Sequence, residues 1–339
     1  MKFRPFIVAL AATIAIASAA GASETITLKL ADQFPLTHFA SKTGGQAFIK
    51  RVEALSDGRI KIKHFPAQQL AKAAGMLDAV KNRVTDIAMV GIVYVSDRMP
   101  LSGVTMLPGL FNDVVVGTRA YMKLANNDLL ESEFLRNGVR PLWVSLAPTY
   151  QIQLTDKRRI TSIDDLKGKK LRTAGAIMEL TAKELGAIPV TIGPSDFYLA
   201  LQRGTVDGAL YTIPGWRAYS LQEVLNSSTT NAGLGSIAFA TLINEQVWQG
   251  LPDDVRAILK QAGEATGAAA AAKFDAVVAR ANDKMKKAGK EVYALSPGVL
   301  AEIKERLRGV EDIWLAQMRS RNLPGEETLA AFRRYLREQ

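Results

Sequence analysis

Residues Ser162 to Gly208 read SIDDLKGKKLRTAGAIMELTAKELGAIPVTIGPSDFYLALQRGTVDG. Ser162 and Asp165 have the spacing of a capping pair that opens a short helix. Lys169 to Thr173 then reads as a strand and Ile177 to Leu185 as a helix. Ile188 to Ile192 reads as a strand, Asp196 to Arg203 as a helix capped by Ser195, and Val206 to Tyr211 as a strand. Short apolar strands alternating with helices predict a parallel sheet with helices on its faces.

The same alternation occurs upstream. Thr25 to Ala31 alternates apolar and polar, and Phe39, Phe48, Val52 and Leu55 fall near helical spacing before Ser56-Asp57-Gly58. Arg59 to Phe65 alternates again, Gln69 to Val84 is helical in pattern, and Asp86 to Val90 is a buried-type strand. Val114 to Leu135 reads as a helix, with strands at Val139 to Ser145 and Gln151 to Thr155. Two successive α/β units predict two lobes with a cleft between them. The expected division is 23–147 plus about 235–275 for lobe I, and 148–234 plus about 276–339 for lobe II. Pro252 to Lys287 reads either as one long helix crossing both lobes or as two helices broken at Gly263 or Gly267. A strand (Glu291 to Leu295) and two amphipathic helices (Pro297 to Ser320, Gly325 to Arg337) close the chain.

Composition narrows the chemistry. The 339 residues include no cysteine, which excludes disulfides, thiol nucleophiles and thiolate metal sites. Two histidines, His38 and His64, leave little for a histidine metal site or a Ser-His-Asp triad. No phosphate-loop, nucleophile-elbow or H-E-x-x-H motif is present, and no carboxylate pair stands out for acid–base work. An enzyme is disfavoured on these grounds. His64, inside an alternating strand, reads as structural; His38 follows the first strand, where α/β proteins place ligand-contacting loops.

Met1 to Ala22 reads as a secretory leader: Lys2 and Arg4, an apolar run from Phe6 to Ala17, then small residues ending at Ala22. Its loss lowers the formal net charge from +10 to +8. The densest basic clusters, Lys157-Arg158-Arg159, Lys167-Gly168-Lys169-Lys170 and Lys284-Lys286-Lys287, come with no nucleic-acid-binding motif, so nucleic acid is not an expected partner.

Arg172 stands at the carboxyl end of a strand between apolar Leu171 and Ala174. That position opens into the crevice where open α/β sheets hold ligands. A guanidinium fork matches a carboxylate there, either on a bound ligand or on a nearby acidic side chain.

The chain resembles the solute-binding proteins of tripartite ATP-independent periplasmic (TRAP) transporters, the dicarboxylate-binding-protein family. The resemblance rests on Leu166 to Arg172 (LKGKKLR), Leu185 to Val190 (LGAIPV) and Tyr198 to Gly208 (YLALQRGTVDG). Phe65 to Leu70 (FPAQQL), Met106 to Phe111 (MLPGLF), Ser56-Asp57-Gly58 and the leader extend it over nearly the whole mature chain.

The resemblance implies a two-lobe periplasmic-binding-protein type II-like fold, with a hinge of crossing strands and a long helix spanning both lobes. It also implies that Arg172 bridges to the ligand carboxylate. It implies periplasmic capture of a small-molecule organic acid and delivery to the membrane subunits of a TRAP transporter, chemistry that requires no cofactor, and it leaves a homodimer through the long helix open. A sensor serving a signalling partner and a periplasmic enzyme acting on an organic acid are the alternatives.

Ile152 stands where better-known members carry a second arginine, and Tyr211-Thr212 where they carry Asn-Pro. Losing a cation and an amide predicts a less polar pocket and a monocarboxylate with an apolar or aromatic body. In this reading Tyr211 and Trp216 pack on that body, with hydroxyl and indole N–H as donors. Tyr150 adds a contact from the same lobe, and Phe39, His38 and Tyr94 line the other.

Overall fold

In the computed structural model, which describes residues 25–338, strand β1 (Ile26–Asp32) pairs in parallel with β2 (Ile60–Phe65) and β3 (Ile87–Gly91). The leader reading lies outside the described residues. The first sheet is ordered β2-β1-β3-β10-β4, with β10 (Ala238–Asn244) antiparallel to both β3 and β4 (Val139–Leu146). β3 is buried along its whole length, because strands flank it and helices cover the sheet. Helices α1 (Phe39–Thr43), α2 (Gly45–Leu55), α3 (Met76–Lys81), α4 (Val114–Asn126) and α7 (Glu245–Gly250) belong to this lobe. Phe48 of α2 packs on Trp143 of β4 with ring centroids 4.5 Å apart, both fully buried.

The second sheet is ordered β11-β9-β5-β8-β6-β7. It comprises β5 (Gln151–Leu154), β6 (Lys170–Thr173), β7 (Ile188–Thr191), β8 (Gly208–Tyr211), β9 (Ser227–Thr229) and β11 (Glu291–Tyr293). Helices α5 (Ala176–Glu184) and α6 (Phe197–Gln202) connect its parallel strands. The capping box of Ser162 and Asp165 is present, on a single 3₁₀ turn at Ile163–Leu166. The Ser195 cap is corrected: Asp196 is the N-cap of α6 and makes no side-chain cap, and the Ser195 hydroxyl lies 3.2 Å from the Asp196 carboxyl.

Before the C-terminal helices, three connections join the lobes: β4 to β5, β9 to β10, and α8 (Asp253–Ala271) to α9 (Phe274–Lys287). The first two are bonded to each other as they cross. Ala147 N–H donates to Ile237 O at 2.9 Å, Tyr150 N–H to Gly235 O at 2.9 Å, and Leu234 N–H to Tyr150 O at 3.1 Å. The long helical run is interrupted, but at neither glycine. A Cβ on Gly263 would lie 2.4 Å from Leu142 O and one on Gly267 3.2 Å from Val144 O. Both glycines therefore let α8 lie directly on β4. The interruption falls at Ala272–Lys273, where Lys273 N–H reaches back only three residues to Ala270 O. There the run leaves the first lobe, and α9 packs on β11 of the second.

The C-terminal helices return the chain to the first lobe. Helix α10 (Pro297–Ser320) lies along α5, and its Trp314 indole donates to Pro100 O at 3.4 Å. Helix α11 (Gly325–Arg337) packs on α4, with Phe332 edge-on to Phe111. The expectation that 276–339 belongs wholly to the second lobe is thus corrected at its end, because the apolar face of α11 finds its cover on α4.

Glu133 is 3% exposed and accepts from Leu101 N–H, Ser102 N–H and the Ser102 hydroxyl. Burial pushes its carboxyl up to about 7, against the opposing effect of those donors. The folded protein therefore holds this proton more tightly than the unfolded chain does. Stability from this group is full below about pH 4.5 and is lost as pH rises through about 7. Over that window the loss is about 3 kcal/mol. Thermal melts between pH 5 and 8 should show the parent losing stability more steeply than Glu133→Gln; parallel curves would reject the assignment.

Candidate ligand-binding site

Arg172 lies on β6 between two parallel neighbours, in register with Ala209 of β8 and Val190 of β7. The carboxyl end of β6 faces the first lobe, and there the side chain is held at several points. Its Nε donates to Ile192 O at 2.9 Å, and its Nη2 donates across the lobes to the Tyr94 hydroxyl at 3.2 Å. The guanidinium carbon lies 4.7 Å from the Phe197 ring centroid and 5.8 Å from that of Tyr211. The side chain is 1% exposed, and Nη1 has no hydrogen-bond partner among the described residues. Of the two readings of Arg172, the acidic side-chain partner is not present: no ion pair among the described residues uses it. Arg172 is also the one Lys or Arg among the described residues that is fully buried. A buried cation without a counter-ion is costly, and aromatic rings offset only part of that cost. An incoming anion would supply the missing charge.

Tyrosines surround the guanidinium. The Tyr150 and Tyr211 ring centroids lie 6.2 Å apart, and Tyr211 is edge-on to Phe197 at 5.1 Å. Burial raises both hydroxyls above the ordinary tyrosine range, so they remain neutral phenols able to donate. Gly215 makes room for Tyr211, since a Cβ there would lie 2.4 Å from the Tyr211 hydroxyl oxygen.

On the first lobe, the His38 ring stacks on Phe34 at 4.1 Å and 8° and faces Tyr219 of the second lobe at 5.7 Å. Burial lowers the His38 pKa to about 3, so the ring is neutral. Phe39 lies 4.6 Å from His38 and turns edge-on to Phe274 at the start of α9. A cavity of about 350 Å³ at the hinge, lined by Thr149, Thr212, Pro214 and Phe274 among others, does not include Arg172.

Of the residues singled out from sequence, Arg172, Tyr94, Tyr150 and Tyr211 form one cluster. His38 and Phe39 stand on the facing lobe. Trp216 does not join them. It is fully buried in the second lobe's core, and its indole N–H donates to Gln153 Oε1 at 2.7 Å. The reading of that N–H as a ligand donor is corrected, because a buried glutamine already takes it. His64 lies 3.5 Å from Asp32 on β1, apart from the Arg172 cluster. Sequence reading missed Phe197, Tyr219 and Gln33, whose Nε2 lies beside Tyr94 at Gly91. For Gln33 the usable signal was its place just beyond the carboxyl end of β1; Phe197 and Tyr219 carried no comparable signal.

A family profile described as bacterial extracellular solute-binding protein, family 7, matches residues 36–316. The C4-dicarboxylate-binding periplasmic protein DctP of Rhodobacter capsulatus is 29% identical over 302 residues, covering 85% of this chain and 84% of that protein. A TRAP solute-binding protein from Rhodoferax ferrireducens, solved with copurified benzoate, superposes with a TM-score of 0.87 at 24% identity; the match covers 93% of this chain and 98% of that one. A TRAP periplasmic solute-binding protein from Bordetella bronchiseptica, solved with bound (R)- and (S)-mandelate, gives 0.83 at 23% identity, covering 92% and 99%.

Proposed function

Because the chain belongs to family 7 of the bacterial extracellular solute-binding proteins, the receptors that serve TRAP transporters, we propose that it captures a monocarboxylate with an apolar or aromatic body between its lobes. Its place of work is the periplasm, after removal of the leader, and it hands the acid to the membrane subunits. The observation that carries this reading is Arg172: a buried guanidinium with a free N–H and no acidic side chain against it. A single buried cation suits a single carboxylate. The rings of Phe197, Tyr211 and Tyr150 offer apolar surface to the body of the ligand. The benzoate- and mandelate-bound relatives lend the reading support by analogy of fold.

Ligand contacts would come from both lobes only when these meet, so binding shifts the open–closed equilibrium toward closed. A thermal-shift screen tests the ligand class, since a ligand bound to the folded form raises apparent stability. Aromatic and 2-oxo monocarboxylates should raise Tm by several degrees at millimolar concentration. A screen in which only dicarboxylates or sugars do so would reject the reading.

A further inference from the structure

We infer that the cleft carries a second polar subsite, formed by Gln33, His38 and Tyr219, which recognises a hydroxyl group on the ligand at the end away from its carboxylate. The inference rests on the carboxylate anchor proposed at Arg172.

All three side chains hold buried polar atoms without a hydrogen-bond partner among the described residues: Gln33 Nε2 and Oε1, His38 Nε2, and the Tyr219 hydroxyl. Gln33 and His38 are 1% and 2% exposed. Buried polar groups in folded proteins are almost always paired, so several orphans gathered around Tyr94 and Tyr219 point to a partner that binds there.

Their positions connect them to the anchor. A Cβ added to Gly91 would lie 2.9 Å from the Tyr94 ring and 3.3 Å from Gln33 Nε2, so Gln33 lies beside the residue that bonds Arg172. Tyr219 faces His38 across the lobes. Its hydroxyl is raised by burial, with Tyr211, Tyr94, Asp32 and Arg172 all near enough to act on it.

The donor and acceptor inventory selects the group. His38 Nδ1 accepts from Ala40 N–H at 3.1 Å, so the proton of the neutral ring sits on Nε2, which is a donor. The Phe34 stack fixes the direction of that donor. The Gln33 amide offers one donor and one acceptor side, and Tyr219 offers either. A hydroxyl both donates and accepts, and so can satisfy His38 Nε2–H and Gln33 Oε1 together. A second carboxylate cannot donate to Gln33 Oε1. It would also bring a second negative charge toward Asp32, which is fully buried at the end of β1 with Oδ2 3.5 Å from His64 Nε2, and among the described residues Arg172 is the one fully buried Lys or Arg.

Titration calorimetry on the mature full chain tests the subsite with two probe pairs, benzoate with 3-hydroxybenzoate and phenylacetate with 3-hydroxyphenylacetate, plus isophthalate as the dicarboxylate. In at least one pair the hydroxylated acid should bind the parent roughly 10- to 100-fold more tightly than its partner. That ratio should fall toward one in Tyr219→Phe and in Gln33→Leu, each first shown to be folded by its melting curve. A parent that binds both members of each pair equally, or prefers isophthalate, overturns the subsite while leaving the anchor standing. So do variants that keep the parental ratio. Failure of every monocarboxylate to bind the parent would instead overturn the anchor.

Discussion

Arg172→Met is expected to lower affinity for the bound acid by at least about 100-fold, measured by titration calorimetry. A hydrogen bond to a charged group contributes roughly 1.5–3 kcal/mol, and the fork offers a carboxylate more than one. Removing the cation also leaves the ligand carboxylate buried without a counter-charge, which costs several kcal/mol more. Lysine should rescue little. Its point charge lacks the planar fork, and a shorter set of donors cannot hold Ile192 O, Tyr94 and the ligand together. The ligand-free variant should melt at the same temperature as the parent or higher, because an unpaired buried cation is replaced by an apolar side chain beside Phe197. Binding within a few-fold of the parent would show that the carboxylate sits elsewhere.

Gly175→Ala should hold the lobes apart. Gly175 precedes α5 in the second lobe with φ +86° and ψ 168°, a region open essentially to glycine alone. A Cβ there would lie 2.3 Å from Val93 O and 2.8 Å from Val93 Cγ2, both on the first lobe. Two costs follow, and they act on different equilibria. Backbone strain of about 1–3 kcal/mol is present whether the lobes are open or closed, so it lowers Tm. The clash with Val93 exists only when the lobes meet, so it lowers the closed population and, with it, apparent affinity. A bias of about 3 kcal/mol against closure weakens binding roughly 100-fold. Solution scattering should show a larger radius of gyration with ligand present than the parent has. Gly289→Ala separates the two effects: its φ is +76° and nothing lies within 4 Å of the added carbon. It should lower Tm and leave affinity alone. A Gly175→Ala protein that closes on ligand like the parent would remove close lobe approach as the reason for this glycine.

The turn after β8 shows where sequence reading ran out. Trp216 and Tyr219 lie three residues apart on one 3₁₀ segment, Ile213–Tyr219. Both are large aromatics with a polar tip, and composition cannot rank them. The fold sends the indole into the core, where Gln153 accepts its N–H, and turns the Tyr219 ring toward His38 of the other lobe. Gly263 and Gly267 make the same point for backbone. In one of the two readings of that run they break the helix; in the structure they are the places where a helix lies on a strand too closely for a side chain.

What the sequence by itself determined was local: the alternation of β1 and β2, the capping box at Ser162 and Asp165, and Arg172 at the carboxyl end of a strand. Those features arise from interactions between residues at most a few positions apart, so their signal survives in the order of residues. The tertiary structure alone decided that Arg172 meets Tyr94, that Gly175 faces Val93, that α11 returns to α4, and that Tyr219 faces His38 across the lobes. The Arg172–Tyr94 contact joins residues 78 positions apart. Such pairings depend on how two sheets are set against each other by the connections that cross between them, and neither periodicity nor spacing encodes that arrangement.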